Sequence, residues 1–91
     1  MKRTASHEYY YVDYKAMGAY LMDLRIQRYG SNRSEFVRKL NEHGKYSWDQ
    51  SAYRKMELGE IELSLDRLCE LVMMFGISPT EVLVHCTYGN R

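Results

Sequence analysis

Apolar positions recur every three or four residues along most of this chain, and the breaks fall at glycines or at helix-capping residues. Met17, Leu21 and Leu24 share one side of a helix predicted from about Asp13 to Tyr29, which Gly30 stops. Asn32, with Glu35 three residues later, opens a second helix that buries Phe36, Val37 and Leu40 and ends near Asn41. The polar stretch from Asn41 to Ser47, containing Gly44, reads as a loop. Trp48, Asp49 and Tyr53 are then spaced as the staple, the cap and the fourth position of a third helix, about Gln50 to Leu58, halted at Gly59. A fourth helix opens at Ser64, with Leu65, Leu68, Cys69, Val72 and Phe75 at helical spacing, and closes at Gly76. Ser78, Pro79 and Glu81 give the clearest start of all, for a fifth helix running through Val82 and Leu83 to about Cys86.

The two ends are less regular. Residues 1–14 form a tyrosine-rich arm in which Tyr9, Tyr10, Tyr11 and Val12 favour extended backbone. A strand, an arm and the ragged start of a helix all fit that stretch. Residues 87–91 read as a frayed tail. The expected fold is therefore all-α: one compact five-helix domain over residues 15–86, with no repeat and no second domain.

The third helix has two distinct faces. Tyr53, Met56 and Glu57 fall together and point inward, while Ser51, Arg54, Lys55 and Leu58 fall on the other side. Its first residues, Gln50, Ser51 and Ala52, are small or carry an amide. A helix presented end-on to a DNA groove reads base edges with such residues.

Composition narrows the function classes. At 91 residues and 45% hydrophobic content the chain suits one globular domain with a modest core. Its longest apolar runs, such as Leu71 to Phe75, are far too short for a membrane span. The N-terminus lacks an apolar signal-peptide core, so the cytoplasm is the expected location. Net charge is only +1, but it is unevenly spread. From Arg25 to Lys55 eight basic residues face three acidic ones, a balance of +5. From Met56 onward two basic residues face six acidic ones, a balance of −4. A basic middle is what a nucleic-acid contact requires, although ordinary solvated helix faces produce such a pattern equally often.

Other chemistries find little support. Cys69 and Cys86 form no metal-type pair and read as reduced packing residues. Together with His7, His43 and His85 they match no zinc spacing, so no metal and no cofactor is expected. No nucleophile motif or glycine-rich phosphate loop is present, and an enzyme is not expected.

From about Leu21 to Leu83 the chain resembles the DNA-binding domain of phage-repressor-type helix-turn-helix regulators, the Xre or Cro-like class. The matching pieces are Leu24-Arg25 before Gly30, Asn32 to Leu40, Tyr53 to Gly59, Ser64-Leu65 to Leu68, and Phe75 to Leu83. The resemblance implies that Gln50 and Ser51 read bases, with Ala52 and Lys55 beside them. A glutamine amide pairs with adenine through two hydrogen bonds, about 1–3 kcal/mol of discrimination. It further implies that Arg33 meets phosphate and that Arg25 and Glu57 form an internal ion pair; Arg54 and Lys55 could alternatively take phosphates. Double-stranded DNA and a second copy of the chain are the implied partners.

The chain departs from that pattern in three places. About six extra residues, Glu42 to Ser47, lengthen the turn before the third helix, and His43 and Lys45 in it become further phosphate candidates. Leu58 stands where a polar residue is usual, and Glu60-Ile61-Glu62-Leu63 replaces a basic or polar connection. Two functions follow from different classes. One is a sequence-specific DNA-binding regulator, most simply a homodimeric repressor on a two-fold symmetric operator. The other is a protein-binding module of the same fold, such as an inhibitor, antitoxin-like partner or adaptor, using Ile61, Leu63 or the N-terminal tyrosines.

Overall fold

The computed structural model describes residues 9–90. The elements run β1 (Tyr9–Val12), α1 (Tyr14–Tyr29), α2 (Arg33–His43), α3 (Gln50–Glu57), α4 (Leu65–Met73), α5 (Pro79–Cys86) and β2 (Thr87–Asn90). Every helix starts where a short polar side chain takes up an otherwise orphaned backbone N–H. Asp13 accepts from Ala16 at 3.0 Å, Asn32 from Glu35 at 3.1 Å, Asp49 from Ala52 at 2.9 Å and Ser64 from Arg67 at 3.2 Å. Ser78 and Glu81 form a reciprocal capping box, with Pro79 at the first helical position.

The five helices enclose one core. Leu21, Phe36, Val37, Leu40, Tyr53, Leu68, Leu71, Val82 and Cys86 are all essentially inaccessible. Aromatic rings occupy its centre: Phe36 stacks on Phe75 at 5.6 Å between centroids, meets Tyr29 edgewise and lies tilted against Tyr53. Trp48 meets Tyr53 at 5.9 Å, which ties the start of α3 to the same cluster. Such pairs add about 0.5–1.5 kcal/mol each beyond the area they bury. No helix among the described residues is long and apolar enough to cross a membrane.

Three sequence expectations need correction. The chain is mostly helical but not all-α, because residues 87–90 of the expected frayed tail form strand β2. It pairs antiparallel with β1 in the register Tyr9–Asn90, Tyr10–Gly89, Tyr11–Tyr88 and Val12–Thr87. The ribbon begins where the Asp13 N–H donates to the Cys86 carbonyl at 2.8 Å. This pairing joins the two ends of the chain, so no local periodicity announces it. Residues 1–8 of the expected arm, His7 among them, and Arg91 of the expected tail lie outside the described residues. On α4 the buried stripe is Leu68, Leu71 and Val72, continued by Phe75 just past its end, whereas Leu65 and Cys69 are exposed. Cys69 follows Leu68 by 100° of helical turn, away from Leu71, and so leaves the core. Leu63 is only 8% exposed and packs into the core, which removes it from any docking surface.

The position of α3 is set by two close approaches to α1. A Cβ on Gly18 would lie 2.4 Å from the Met56 carbonyl oxygen and 2.5 Å from that of Glu57. Past the end of α3, Gly59 sits at φ +75°, where its N–H bonds to Met56 O and that of Glu60 to Lys55 O. These two bonds close a Schellman turn. An added Cβ on Gly59 would lie 2.4 Å from the Lys15 Cα. A helix interior ordinarily gains up to ~1 kcal/mol when glycine becomes alanine. Here the clash with two backbone carbonyls outweighs that gain, and Gly18→Ala should destabilise by about 1–3 kcal/mol. Thermal unfolding followed by circular dichroism checks this, and a midpoint at or above that of the unmodified chain would mean that α1 and α3 part freely.

Candidate nucleic-acid interface

The outward side of α3 is built from the inward side. Tyr53, Met56 and Glu57 are buried, and this orientation leaves Gln50, Ser51, Arg54, Lys55 and Leu58 exposed. Beneath lies a buried ionic cluster. Arg25 Nε donates to Glu57 Oε2 at 2.7 Å and its Nη2 to Oε1 at 3.1 Å, a bidentate fork. Arg25 Nη1 donates to the Gly30 carbonyl at 3.0 Å, so the same guanidinium fixes the end of α1. The hydrogen bond to Glu57 holds Arg25 above its ordinary pKa, against the opposing cost of burial. Tyr53 has a buried hydroxyl without a hydrogen-bond partner among the described residues; burial, then the negative charge of Glu57, pushes its pKa far up.

Arg33 joins this cluster, a link that spacing alone did not reveal. Its Nε donates to Glu57 Oε1 at 3.1 Å, while its side chain stays 32% exposed. One carboxylate thus carries two guanidinium groups, and the cluster keeps a net positive charge that reaches the surface through Arg33. Arg33 stands at the first position of α2, next to the start of α3. Gln50 Nε2 donates to the Ser34 carbonyl at 3.1 Å and ties the two helix starts together. The amide keeps its oxygen and a second N–H for an outside partner.

Between the two starts lies an open recess of about 450 Å³, lined by Ser31, Asn32, Arg33, Ser34, Gln50, Ser51 and Arg54. Two helix N-termini and two arginines at one polar recess favour an anion. Ser31, Asn32 and Ser34 were not anticipated there; their signal was only the capping pattern at Asn32. The other expected residues scatter. Lys55 is exposed on α3 but does not line the recess, and Ala52 is half-buried toward a mainly apolar cavity of about 300 Å³ with Trp48, Ile61 and Leu63. His43 lies at the end of α2 with Tyr29, Lys39, Glu42, Met73 and Met74, apart from the recess. Lys45 sits in the turn beside α4, where its backbone N–H donates to Glu70, and its ammonium lies over the Tyr46 ring.

The long turn between α2 and α3 is firmly built. Asn41 brackets Trp48, accepting its N–H at 2.7 Å and donating to its carbonyl at 3.0 Å. Glu70 of α4 accepts from the Tyr46 N–H at 3.0 Å and the Trp48 indole at 2.6 Å as well as from Lys45. Arg67 covers the rings of Trp48 at 4.9 Å and Tyr46 at 5.2 Å and donates to the Ser47 carbonyl at 3.0 Å. The residues between α2 and α3 therefore place Trp48 and Asp49, and with them the start of α3.

Glu57→Ala should lower stability by about 3–5 kcal/mol, because it strands the buried Arg25, and Arg25→Ala should cost less, because Arg33 still pairs with Glu57. Denaturant unfolding measures this, and an unchanged midpoint for both would remove the cluster as a structural element. Burial alone would raise the Glu70 pKa, but the hydrogen bonds from Trp48, Lys45 and Tyr46 prevail and hold it below the ordinary carboxylate range. A lowered folded pKa gives stability that is full above the unfolded value of about 4.3 and fades as pH falls through the folded one. The difference in melting temperature between the unmodified chain and Glu70→Gln should accordingly be constant above about pH 5 and shrink in more acidic solution. No protein-family model, curated protein or solved structure matches the chain.

Proposed function

We propose that this chain is a sequence-specific DNA-binding transcriptional regulator, most simply a repressor that acts as a homodimer on a two-fold symmetric operator. One observation carries the reading: the recess that joins the starts of α2 and α3 and is lined by Arg33, Gln50, Ser51 and Arg54. With α3 end-on in the major groove, Gln50 and Ser51 address base edges, and Arg33 and Arg54 take the flanking phosphates. Lys55 lies one turn further along the exposed face. The resemblance to the Xre or Cro-like class supports the same arrangement. Half-sites then lie about 34–36 Å apart, or a multiple of that distance.

A second reading, a protein-binding module of the same fold, is favoured by the exposed Leu58, Ile61 and Leu65 beside Glu60 and Glu62. Selection from a random double-stranded DNA pool at about 0.15 M salt separates the two, since weak charge attraction is largely screened there. Enrichment of a palindrome supports the regulator; a folded chain that enriches nothing supports the protein-binding module.

On the selected site, Gln50→Ala and Ser51→Ala should weaken binding while nonspecific affinity stays nearly constant. Arg54→Ala should weaken all sequences alike and lower the salt slope by about one. Arg33→Ala should do the same and also reduce stability, because it removes a ligand of Glu57. Titrations at several salt concentrations give these values; equal losses on every sequence from Gln50→Ala would refute its reading role.

A further inference from the structure

Two strands of four residues are too little sheet to hold themselves in water, where at least three strands or a packed face are needed. The ladder phase shows what the ribbon leaves open. Asp13 donates to Cys86 across the ribbon, and antiparallel pairs alternate between bonded and non-bonded. Tyr11 and Tyr88 are therefore a bonded pair, and the N–H and C=O groups of Tyr10 and Val12 face away from β2. On β2 the corresponding edge is partly used, since the Thr87 N–H and hydroxyl both bond to the Leu83 carbonyl. Among the described residues, the open edge belongs to β1.

We propose that β1 pairs antiparallel with β1 of a second copy of this chain, so that two ribbons form one four-stranded sheet. The edge is suited to its own copy. Exposed edge strands are normally blunted by charge or proline, and Tyr9–Val12 and Thr87–Asn90 contain neither, so a two-fold axis brings no like charges together. With Tyr11 on that axis, Tyr10 of each copy exchanges hydrogen bonds with Val12 of the other. Tyr11 and Tyr88 already lie 5.7 Å apart and are 52% and 43% exposed. The two-fold places both Tyr11 rings side by side, flanked by the two Tyr88 rings, and covers a row of four tyrosines. Because Gly59 abuts Lys15, the ribbon leaves α1 at the C-terminal end of α3. The pairing thus keeps both Gln50 tips free.

This interface supplies the homodimer of the proposed regulator, but it is tested without DNA, so either idea can fail alone. Light scattering on the full chain at tens of micromolar should give a dimer. Tyr11→Lys sets two charges face to face and should shift it to monomer, with the helical circular dichroism unchanged. A facing non-bonded pair has its Cα atoms about 4.5 Å apart, within disulfide range. In a Cys69→Ser background, Tyr11→Cys should give a cross-linked dimer on mild oxidation. Tyr88→Cys should not, since three strand spacings, about 14 Å, separate those positions. A monomeric unmodified chain, or a dimer in which Tyr11→Cys fails to cross-link, overturns the proposal.

Discussion

The carboxylate of Glu57 is the point on which the exposed helix depends. It belongs to α3, it is fully covered, and it binds Arg25 of α1 and Arg33 of α2 at once. A buried ion pair is a poor source of net stability, because desolvation consumes most of the attraction. It does specify geometry. A bidentate fork fixes distance and orientation together, so α3 has one rotation about its axis in which Glu57 is satisfied. In that rotation Tyr53 and Met56 enter the core, and Gln50, Ser51 and Arg54 cannot be anywhere but outside. The Gly18 contact sets the separation of α1 and α3, and the ionic cluster sets the angle.

Most of the helical frame was legible in the sequence because it rests on local physics. Caps at Asp13, Asn32, Asp49, Ser64 and Ser78 act over three residues, and the apolar stripes repeat within two turns. The exceptions are all long-range. Strand β2 exists only because its partner lies at the other end of the chain, and Tyr88 offers nothing locally against fraying. Leu65 and Cys69 share the apolar character of the α4 stripe, and only the direction of packing separates them from it. Within the candidate site, Gln50, Ser51 and Arg54 were readable from the two faces of α3. The roles of Asn41, Arg67 and Glu70 in holding Trp48 were not, because their separations of 7, 20 and 22 residues follow no periodicity.

The turn between α2 and α3 shows how an irregular segment can be made rigid. Its irregular residues cost little closure entropy in themselves, since that cost grows only with the logarithm of length. What they threaten is precision at the start of α3. The structure answers by giving the turn acceptors and aromatic contacts from α4: Glu70 beneath its amides and Arg67 across its rings. The acidic residue at position 70 is thereby occupied inside the domain.

That occupation changes what the formal charge means. The C-terminal third looks acidic, yet Glu57 is neutralised by two arginines and Glu70 is held among N–H donors. Glu35 and Glu42 are likewise paired with Arg38 on the outer side of α2. Around the recess the arginines are not cancelled in this way: Arg33 shares its acid with Arg25, and Arg54 forms no ion pair among the described residues. A field at the surface depends on which charges remain uncompensated near it, and screening confines each to about 8–10 Å. The near-zero total therefore coexists with a positive recess at the joined starts of α2 and α3, and local charge there, not the sum over the chain, is what a phosphate would meet.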